Sequence, residues 1–172
     1  MTVIETARLS LRHLDYDDAP FVLDLLNQDT FLRYIGDKGV RDIGSACEYL
    51  RQGPLESYWR YGFGLYLTSL RDGGAPIGIC GLVKREALED VDVGFAFLPR
   101  YSGQGYATES AAAVLAHGYR VFNLKRIVGI TAPDNHASMA VLQKIGLRFE
   151  RLVRLGADGK EVNLFGPAPG RS

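Results

Sequence analysis

Two glycines stand two positions apart in residues 100–109, which read RYSGQGYATE, and a segment of this kind could hold a phosphate. Glycine lets a chain turn tightly and approach a ligand closely. The segment follows a strand-like apolar run, 91–98, and precedes an alanine-rich helical run, 110–122. The first turn of a helix leaves N–H groups without partners, and these suit a phosphate group. Residues 100–109, the glycine loop, therefore predict a site for a phosphorylated cofactor.

The residues around the glycines narrow the choice of cofactor. A dinucleotide loop of the G-x-G-x-x-G type fits poorly, because Thr108 takes the third glycine position and Lys125 and Arg126 stand where an acidic residue is expected. No G-x-x-x-x-G-K-[ST] run is present, which argues against a nucleoside triphosphate. The pattern Arg100-x-x-Gly103-x-Gly105 resembles the acetyl-coenzyme A pyrophosphate loop of the GNAT N-acetyltransferases. From this motif alone, a glycine-rich turn without a ligand is the alternative.

Composition and charge limit the class of protein. The chain has 172 residues, 47% of them hydrophobic, which suits one domain with an ordinary core. Its formal net charge of zero argues against general binding to nucleic acid or to an anionic membrane. Cys47 and Cys80 lie in apolar surroundings outside any C-x-x-C pair, so we expect core fillers and neither a disulfide nor a metal site. Without a signal-peptide pattern or a membrane-spanning apolar run, we expect a cytoplasmic protein.

The elements that position the glycine loop follow from periodicity and turn signals. In order, they are a strand at 8–12, a helix after Asp15, a helix at 43–52 that ends at Gly53-Pro54, strands at 63–70 and 77–84 joined by a turn at 71–74, a strand at 91–98, a helix at 110–122, a strand at 126–131, a helix at 136–145, and a hairpin of 147–155 with 160–165. This order predicts one mixed α/β domain over residues 1–166 and a flexible tail over 167–172.

Further motifs extend the resemblance from about residue 6 to residue 165. The chain is similar to the RimJ/RimL-like branch of the GNAT family in Thr6-Ala7-Arg8-Leu9-Ser10-Leu11-Arg12 with Asp18-Ala19, Ile77-Gly78-x-x-Gly81-Leu82, Asp92-Val93-Gly94-Phe95, Gly105-Tyr106-Ala107-Thr108-Glu109, Asn135-x-x-Ser138 and Lys144-Ile145-Gly146-Leu147. The resemblance implies the GNAT acyl-coenzyme A N-acyltransferase fold, an α/β (α+β) fold whose mixed central sheet of about six to seven strands is flanked by helices. It also implies direct transfer of acetyl from acetyl-coenzyme A, the cosubstrate, to a primary amine.

The resemblance assigns the cofactor contacts to three segments. Phe97 and Leu98 are expected to pair through their backbone with the pantetheine arm, and a splay or bulge near 94–97 would free an N–H for the thioester carbonyl. Asn135 is expected to contact the arm, although it could simply cap a helix. The pyrophosphate contacts are expected from Arg100, whose side chain could equally point to solvent, and from the backbone at Gly103, Gln104, Gly105, Tyr106, Ala107 and Thr108.

Proton transfer requires a base more than an acid, because an ammonium group must lose its proton before it can attack. Asp92 is the best positional candidate for the base, and an ordinary polar residue on a solvated face is the alternative. His136 and His13 have suitable intrinsic pKa values. Ser138 is expected near the sulfur of coenzyme A, as both a cofactor contact and a donor to the thiolate, or else as an ordinary first-turn residue. Glu109 is expected to support the loop.

The sequence leaves the amine acceptor open. Val153 stands where RimL-type enzymes have a proposed base, which weakens any transfer of their mechanism and ribosomal substrate to this chain. Tyr34, Trp59, Tyr61 and Phe63 could line an acceptor pocket or belong to the core. The acceptor could be a protein N-terminus or a small amine, and a non-catalytic acyl-coenzyme A-binding module is the alternative function. Related folds often pair through their C-terminal strands, so a homodimer is a further expectation.

Overall fold

The structure is a computed structural model that describes residues 2–169, and it contains eight strands. Most are short and apolar, as buried strands are expected to be. They are β1 (Thr2–Glu5), β2 (Leu9–His13), β3 (Leu65–Leu70), β4 (Pro76–Val83), β5 (Val91–Phe97), β6 (Ile127–Thr131), β7 (Leu147–Leu155) and β8 (Lys160–Pro167).

These strands form a single sheet in the order β1-β2-β3-β4-β5-β6-β8-β7. Neighbouring strands are antiparallel except for β5 and β6, which run parallel. The mixed sheet confirms the predicted fold class, with a strand count just above the expected six to seven. β8 continues through Pro167, which pairs with Leu147, so the first residue of the predicted tail belongs to the sheet. Residues 170–172 of that tail lie outside the described residues.

Helices connect the strands and cover both faces of the sheet. They are α1 (Ala19–Leu26), α2 (Asp29–Tyr34), α3 (Ile43–Leu50), α4 (Glu56–Tyr61), α5 (Tyr106–Val121) and α6 (His136–Lys144). Within residues 2–169, no helix has both the length and the apolar composition that crossing a membrane would require. Within the same residues, no three His, Cys, Asp or Glu side chains are grouped so that they could hold a metal ion.

The predicted helix end at Gly53-Pro54 is wrong. The chain stays helical from α3 through a π-helical segment, Arg51–Leu55, and on into α4, whose C-cap is Gly62 with a φ of 83°. A π-helical turn changes the local hydrogen-bonding pattern, so proline, which has no N–H to donate, is tolerated there more easily than inside a regular α-helix. Pro54 is buried, so packing holds this irregular turn in place. The sequence also gave no signal for β1 or α2.

The two faces of the sheet carry separate cores. On one face, α5 and α6 pack over a core that includes Cys80, Val93, Val114 and Leu142. On the other face, α1 and α3 pack over Val22, Leu50, Ile79 and Leu98. Gly118 lets α5 approach the sheet closely, since a Cβ there would lie 2.7 Å from the Ile127 Cδ1 atom. Two covered faces explain why β4 is apolar almost without interruption.

The parallel strands β5 and β6 separate soon after they meet. Their register joins Val91 with Ile127 and Asp92 with Val128, and no further pair links them within residues 2–169. β5 then continues along β4, while β6 pairs on its other side with β8. The opening between residues 93–97 and 129–131 is called the β5–β6 gap below. Because the strands are parallel, both of their C-terminal ends lie at the open end of this gap.

Candidate functional site

The glycine loop presents a run of backbone N–H groups at the open end of the β5–β6 gap. Gly103 and Gly105 have φ values of 77° and 83°, a left-handed conformation that most other residues avoid. Gly105 is the N-cap of α5 and offers no capping side chain. Within residues 2–169, none of the six N–H groups of 103–108 donates to a protein acceptor, and the first bonded one is Glu109 N–H, to Gly105 O at 3.0 Å. Such a run fits an anionic phosphate group.

The N-terminal segment holds the glycine loop through Glu109. One Glu109 oxygen accepts from Thr6 Oγ1 at 2.6 Å and from the Arg8 backbone N–H at 3.0 Å, and the other accepts from Arg8 Nε at 2.7 Å. Arg8 Nη1 also donates to Gln104 O at 2.9 Å. Burial opposes ionisation of Glu109, but the hydrogen bonds from Thr6 and Arg8 outweigh it and lower the pKa of this carboxyl. Glu109 therefore supports the loop, as predicted.

Two arginines place positive charge beside these N–H groups. Arg8 had no predicted role beyond its place in a motif, and its guanidinium carbon lies 4.4 Å from the Tyr106 ring centroid. Arg100 is exposed over the Tyr101 ring at 5.3 Å. Within residues 2–169 its guanidinium has no carboxylate within 4.0 Å. The loop thus combines cationic side chains with N–H donors that have no acceptor among the described residues.

The predicted opening near residues 94–97 is present. It is a splay between β5 and β6, and β5 contains no bulge there. The β4–β5 register is regular, and Leu98 N–H donates to Ile77 O at 2.9 Å on the β4 side. Since main-chain groups alternate in direction along a strand, those of Phe95 and Phe97 point the other way, into the β5–β6 gap. The expectation for Leu98 is therefore wrong: its N–H is used by β4, its C=O accepts from Tyr101 N–H, and its side chain is buried.

Asn135 and Ser138 lie at the start of α6, which follows β6 on the far side of the gap. Asn135 is the N-cap, and its Oδ1 accepts from Ser138 N–H at 3.2 Å. The helix-capping alternative is thus realised. Within residues 2–169, neither the Asn135 Nδ2 group nor the Ser138 hydroxyl donates a hydrogen bond, so both can still meet a ligand.

Asp92 lies where β5 and β6 separate, and it is not an ordinary polar residue on a solvated face. It is 1% exposed, and its neighbours Val91 and Val93 point into the α5 core, so Asp92 points toward the opposite face of the sheet. There Arg85 Nε lies 3.2 Å from Asp92 Oδ1 and 3.4 Å from Oδ2. Burial raises the pKa of Asp92, and the positive charge of Arg85 limits the rise. A raised pKa makes the carboxylate a stronger base.

The two alternative bases occupy different surroundings. His13 lies on β2, three strands from β5, at about 4.8 Å per strand. It stacks on Tyr58 at 3.9 Å, and burial lowers its pKa. His136 is exposed in the first turn of α6. His13 is therefore too far from the gap to act there, and the structure places His136 at its open end.

Most of the aromatic residues considered for the acceptor pocket lie elsewhere. Phe63 is buried against Phe122, with centroids 5.3 Å apart, at the C-terminal end of α5. α5 has 16 residues, so this end is about 24 Å from the glycine loop. Tyr61 stacks on Phe63, and Trp59 is 83% exposed on α4. For Phe63 the core alternative holds, and Tyr61 lies with it at this distant end of α5. Trp59 is too exposed to belong to the core, and Tyr34 is half-buried in α2.

An open surface cavity of about 440 Å³ lies beside Arg85, the partner of Asp92, and no sequence motif predicted it. Its wall on one side is the β4–β5 loop, which Lys84 Nζ fixes by donating to Arg85 O at 3.1 Å and to Leu88 O at 2.7 Å. Leu88 is buried against Val128 and Leu164. The β7–β8 hairpin tip forms the opposite wall, and the complete lining is Arg85, Glu86, Ala87, Leu155, Gly156, Asp158 and Lys160. Arg85 connects this cavity, called the charged cavity below, with Asp92.

Comparisons with known proteins agree with this geometry. A family model described as "Acetyltransferase (GNAT) domain" matches residues 8–148, which include the glycine loop, both strands of the gap and the start of α6. YnaD, an uncharacterized N-acetyltransferase of Bacillus subtilis (strain 168), is 29% identical over 147 residues, covering 86% of this chain and 83% of YnaD.

Solved structures share the fold. An acetyltransferase from Agrobacterium tumefaciens str. C58 has a TM-score of 0.81 at 24% identity, covering 96% of this chain and 93% of that protein. RimL, a ribosomal L7/L12 α-N-protein acetyltransferase solved with coenzyme A, has a TM-score of 0.81 at 20% identity, covering 96% of this chain and 97% of RimL. The chain therefore belongs to the GNAT family of acetyl-coenzyme A-dependent N-acetyltransferases.

Proposed function

We propose that this protein transfers acetyl from acetyl-coenzyme A directly to a primary amine, either a protein N-terminus or a small-molecule amine, with both substrates bound together. The observation that carries the proposal is the run of six N–H groups at 103–108, which find no acceptor in the part of the chain that the structure describes and lie at the open end of the β5–β6 gap. An extended cosubstrate fits this arrangement when its pyrophosphate meets the glycine loop and its acyl end enters the gap.

Three groups would bind the cosubstrate. The N–H groups of 103–108 would grip the pyrophosphate, with Arg8 and Arg100 adding positive charge. The main chain of Phe95 and Phe97 would pair with the amide-bearing pantetheine arm, as an added strand pairs with a sheet edge. Asn135 Nδ2 would donate to the same arm while its Oδ1 caps α6.

Removal of a proton from the acceptor is the harder proton step. A lysine-type ammonium has a pKa near 10.4, so making it neutral at pH 7 costs about 4.6 kcal/mol, while an α-amino group near pKa 8 costs about 1 kcal/mol. Asp92 would take this proton, either directly or through one water, because it lies at the closed end of the gap with a raised pKa. Its burial also keeps the carboxylate from being stabilised by bulk water.

Acetyl transfer to the amine needs no reactant beyond acetyl-coenzyme A, the amine, the groups of the gap and solvent. The neutral amine attacks the thioester carbonyl carbon, a C–N bond forms, and the C–S bond then breaks. The N–H of Phe95 or Phe97, which points into the gap, would polarise the carbonyl oxygen. As the amide forms, the nitrogen loses its second proton, which passes to the departing thiolate through the Ser138 hydroxyl or through solvent. The first proton, lost by the ammonium before attack, stays on Asp92 or its water until it is released.

The test is thiol release from acetyl-coenzyme A, measured with and without N-terminal peptides, lysine, polyamines and aminoglycosides. A double Cys47→Ser, Cys80→Ala variant, first shown to unfold cooperatively, controls for the protein's own thiols. Acceptor-dependent release that falls in Asp92→Asn supports the proposal. Calorimetric binding of acetyl-coenzyme A without release toward any amine would favour a non-catalytic acyl-coenzyme A-binding module, in which the ion pair between Arg85 and the buried Asp92 only stabilises the fold.

A further inference from the structure

Charged side chains of both signs line the charged cavity, and these charges bear on which acceptors it can bind. Arg85 and Glu86 come from the β4–β5 loop, and Asp158 and Lys160 come from the β7–β8 hairpin. These two segments are about 70 residues apart in sequence and meet only in the folded protein. Arg85 belongs to this lining and also pairs with Asp92, so it links the cavity with the candidate base.

Arg85 stands between the cavity and the candidate base. Its Nε group lies 3.2 Å from Asp92 Oδ1, and its side chain is 37% exposed while that of Asp92 is 1% exposed. Arginine has five N–H donors in a planar fork, so a guanidinium that bonds one carboxylate through Nε keeps donors for a second anion. A group bound to Arg85 in the cavity is therefore close to the carboxylate that would accept the amine proton.

Charges of both signs on the lining remain free to meet a ligand. Within residues 2–169, Lys160, Glu86 and Asp158 have no oppositely charged side chain within 4.0 Å, and Asp158 Oδ1 accepts only the Lys160 backbone N–H, at 3.2 Å. Lys38 comes from the segment between α2 and α3. Desolvation, followed by the like charges of Arg85 and Lys160, lowers its pKa. Glu86 is the remaining carboxylate on the lining.

We infer that the acceptor of this enzyme carries an anionic group, most simply a carboxylate, a short distance from its amine, and that Arg85 and Lys160 bind this group. The inference rests on the proposed function. The amine would then face Asp92, and Glu86 would favour its ammonium form at the entrance. A polyamine or an aminoglycoside would instead bring several positive charges against Lys38, Arg85 and Lys160.

Binding of such a group would also act on the chemistry. An acceptor carboxylate competes with Asp92 for the Arg85 guanidinium and weakens the pairing that opposes the proton affinity of Asp92. Asp92 would become a stronger base only when an acceptor of the right charge is present. Arg85 is thus a positioning residue, which selects the acceptor and acts through Asp92.

The experiment compares two acceptors that differ in one group, aspartyl-alaninamide and asparaginyl-alaninamide. They have nearly the same shape, a single α-amine and no C-terminal carboxylate, so only the side-chain charge is tested. We expect kcat/KM to be about tenfold or more in favour of the aspartyl compound, the size of one charged hydrogen bond. We also expect the ratio to fall toward one in Arg85→Gln and Lys160→Gln, to persist in the control Lys125→Gln, and to be partly restored in Arg85→Lys.

The outcomes separate this inference from the proposed function. A preference for asparaginyl-alaninamide or spermidine, or a ratio unchanged in both variants, would overturn the inference and leave the transferase intact. If no amine accelerates thiol release from a protein that binds acetyl-coenzyme A, the proposed function itself fails and the inference fails with it. Cooperative unfolding of each variant excludes a general loss of structure.

Discussion

The two sides of the β5–β6 gap are built from different parts of the chain. On the proposed cofactor side, the groups available to a ligand are main-chain N–H donors of one continuous segment, 103–108. On the proposed acceptor side, they are the side chains of Arg85, Lys160 and Asp92, which distant segments bring together. A main-chain site tolerates many side chains, whereas a side-chain site can change its ligand with one substitution. Cosubstrate binding should therefore depend on backbone conformation and acceptor choice on charge.

The largest effect is expected where the two sides meet. Asp92→Asn keeps the size of the side chain but removes the base, so kcat should fall by about 10²- to 10⁴-fold, the usual contribution of general base catalysis. Affinity for acetyl-coenzyme A should stay within about twofold, because Asp92 faces away from the glycine loop. Steady-state kinetics and calorimetry measure the two quantities. Equal losses in both would mean that Asp92 supports the cofactor side.

The next effect tests whether the cofactor side depends on backbone conformation. Gly103→Val places a β-branched residue at a φ of 77°, which costs about 1–2 kcal/mol, so we expect roughly tenfold weaker binding of acetyl-coenzyme A as the loop shifts. Gly73→Val is the matched control. Gly73 has a φ of 84° and open space around it, but it lies in the turn between β3 and β4. Equal weakening in the two variants, seen by calorimetry, would show a general loss of stability.

A smaller effect concerns the pH dependence of the acceptor side. Asp92 must be ionised to act, so kcat/KM should rise with pH through its pKa, which burial raises above the ordinary aspartate value. Arg85→Gln removes the opposing positive charge, so the acidic limb should move to higher pH. Comparing both proteins with one acceptor cancels the ionisation of the acceptor amine. An unmoved limb would mean that Asp92 does not set it.

The smallest effect concerns the support of the glycine loop. Glu109→Gln weakens the bonds from Thr6 and Arg8, and since Arg8 is largely exposed we expect a loss of only about 1 kcal/mol in the free energy of unfolding at pH 7. The pKa of Glu109 is lowered in the folded protein, so its contribution is present above the unfolded pKa and is lost as pH falls through the folded value. Urea unfolding at pH 7 and at acidic pH should therefore show the two proteins converging in acid. A constant difference would contradict this assignment.

The cofactor side was largely predictable because its signal is local. Two glycines between a strand and a helix identify residues 100–109, and Glu109 could be assigned a supporting role from its place in the same motif. The direction of the Leu98 main chain was not predictable, because it depends on the register with β4. The helical path through Pro54 depends on packing that overrides the local signal of Gly53-Pro54. The conformations of Leu98 and Pro54 are set by residues that pack or pair with them in the fold, and the local sequence does not show these contacts.

Most residues of the acceptor side could not be predicted from the sequence, because their contacts join segments that are far apart in the chain. Asp92 could be proposed from its position on a strand, but its partner Arg85 and the hairpin residue Lys160 carried no motif. Their proximity follows from how the β4–β5 loop folds back over β6 and β8, with Leu88 buried there. The aromatic residues before β3 suggested a pocket only because several occur close together in sequence. Phe63 among them packs on Phe122, at the end of α5 away from the glycine loop.

The most direct test of the account is a calorimetric comparison of acetyl-coenzyme A with acetylpantetheine, which keeps the thioester and the amide-bearing arm but lacks the pyrophosphate. If the six N–H groups of the glycine loop hold the pyrophosphate, the wild-type protein should bind acetyl-coenzyme A at least about a hundredfold more tightly, and Gly103→Val should weaken acetyl-coenzyme A far more than acetylpantetheine. Equal affinity of the wild-type protein for both compounds would contradict the account, because the glycine loop would then have no phosphate to bind.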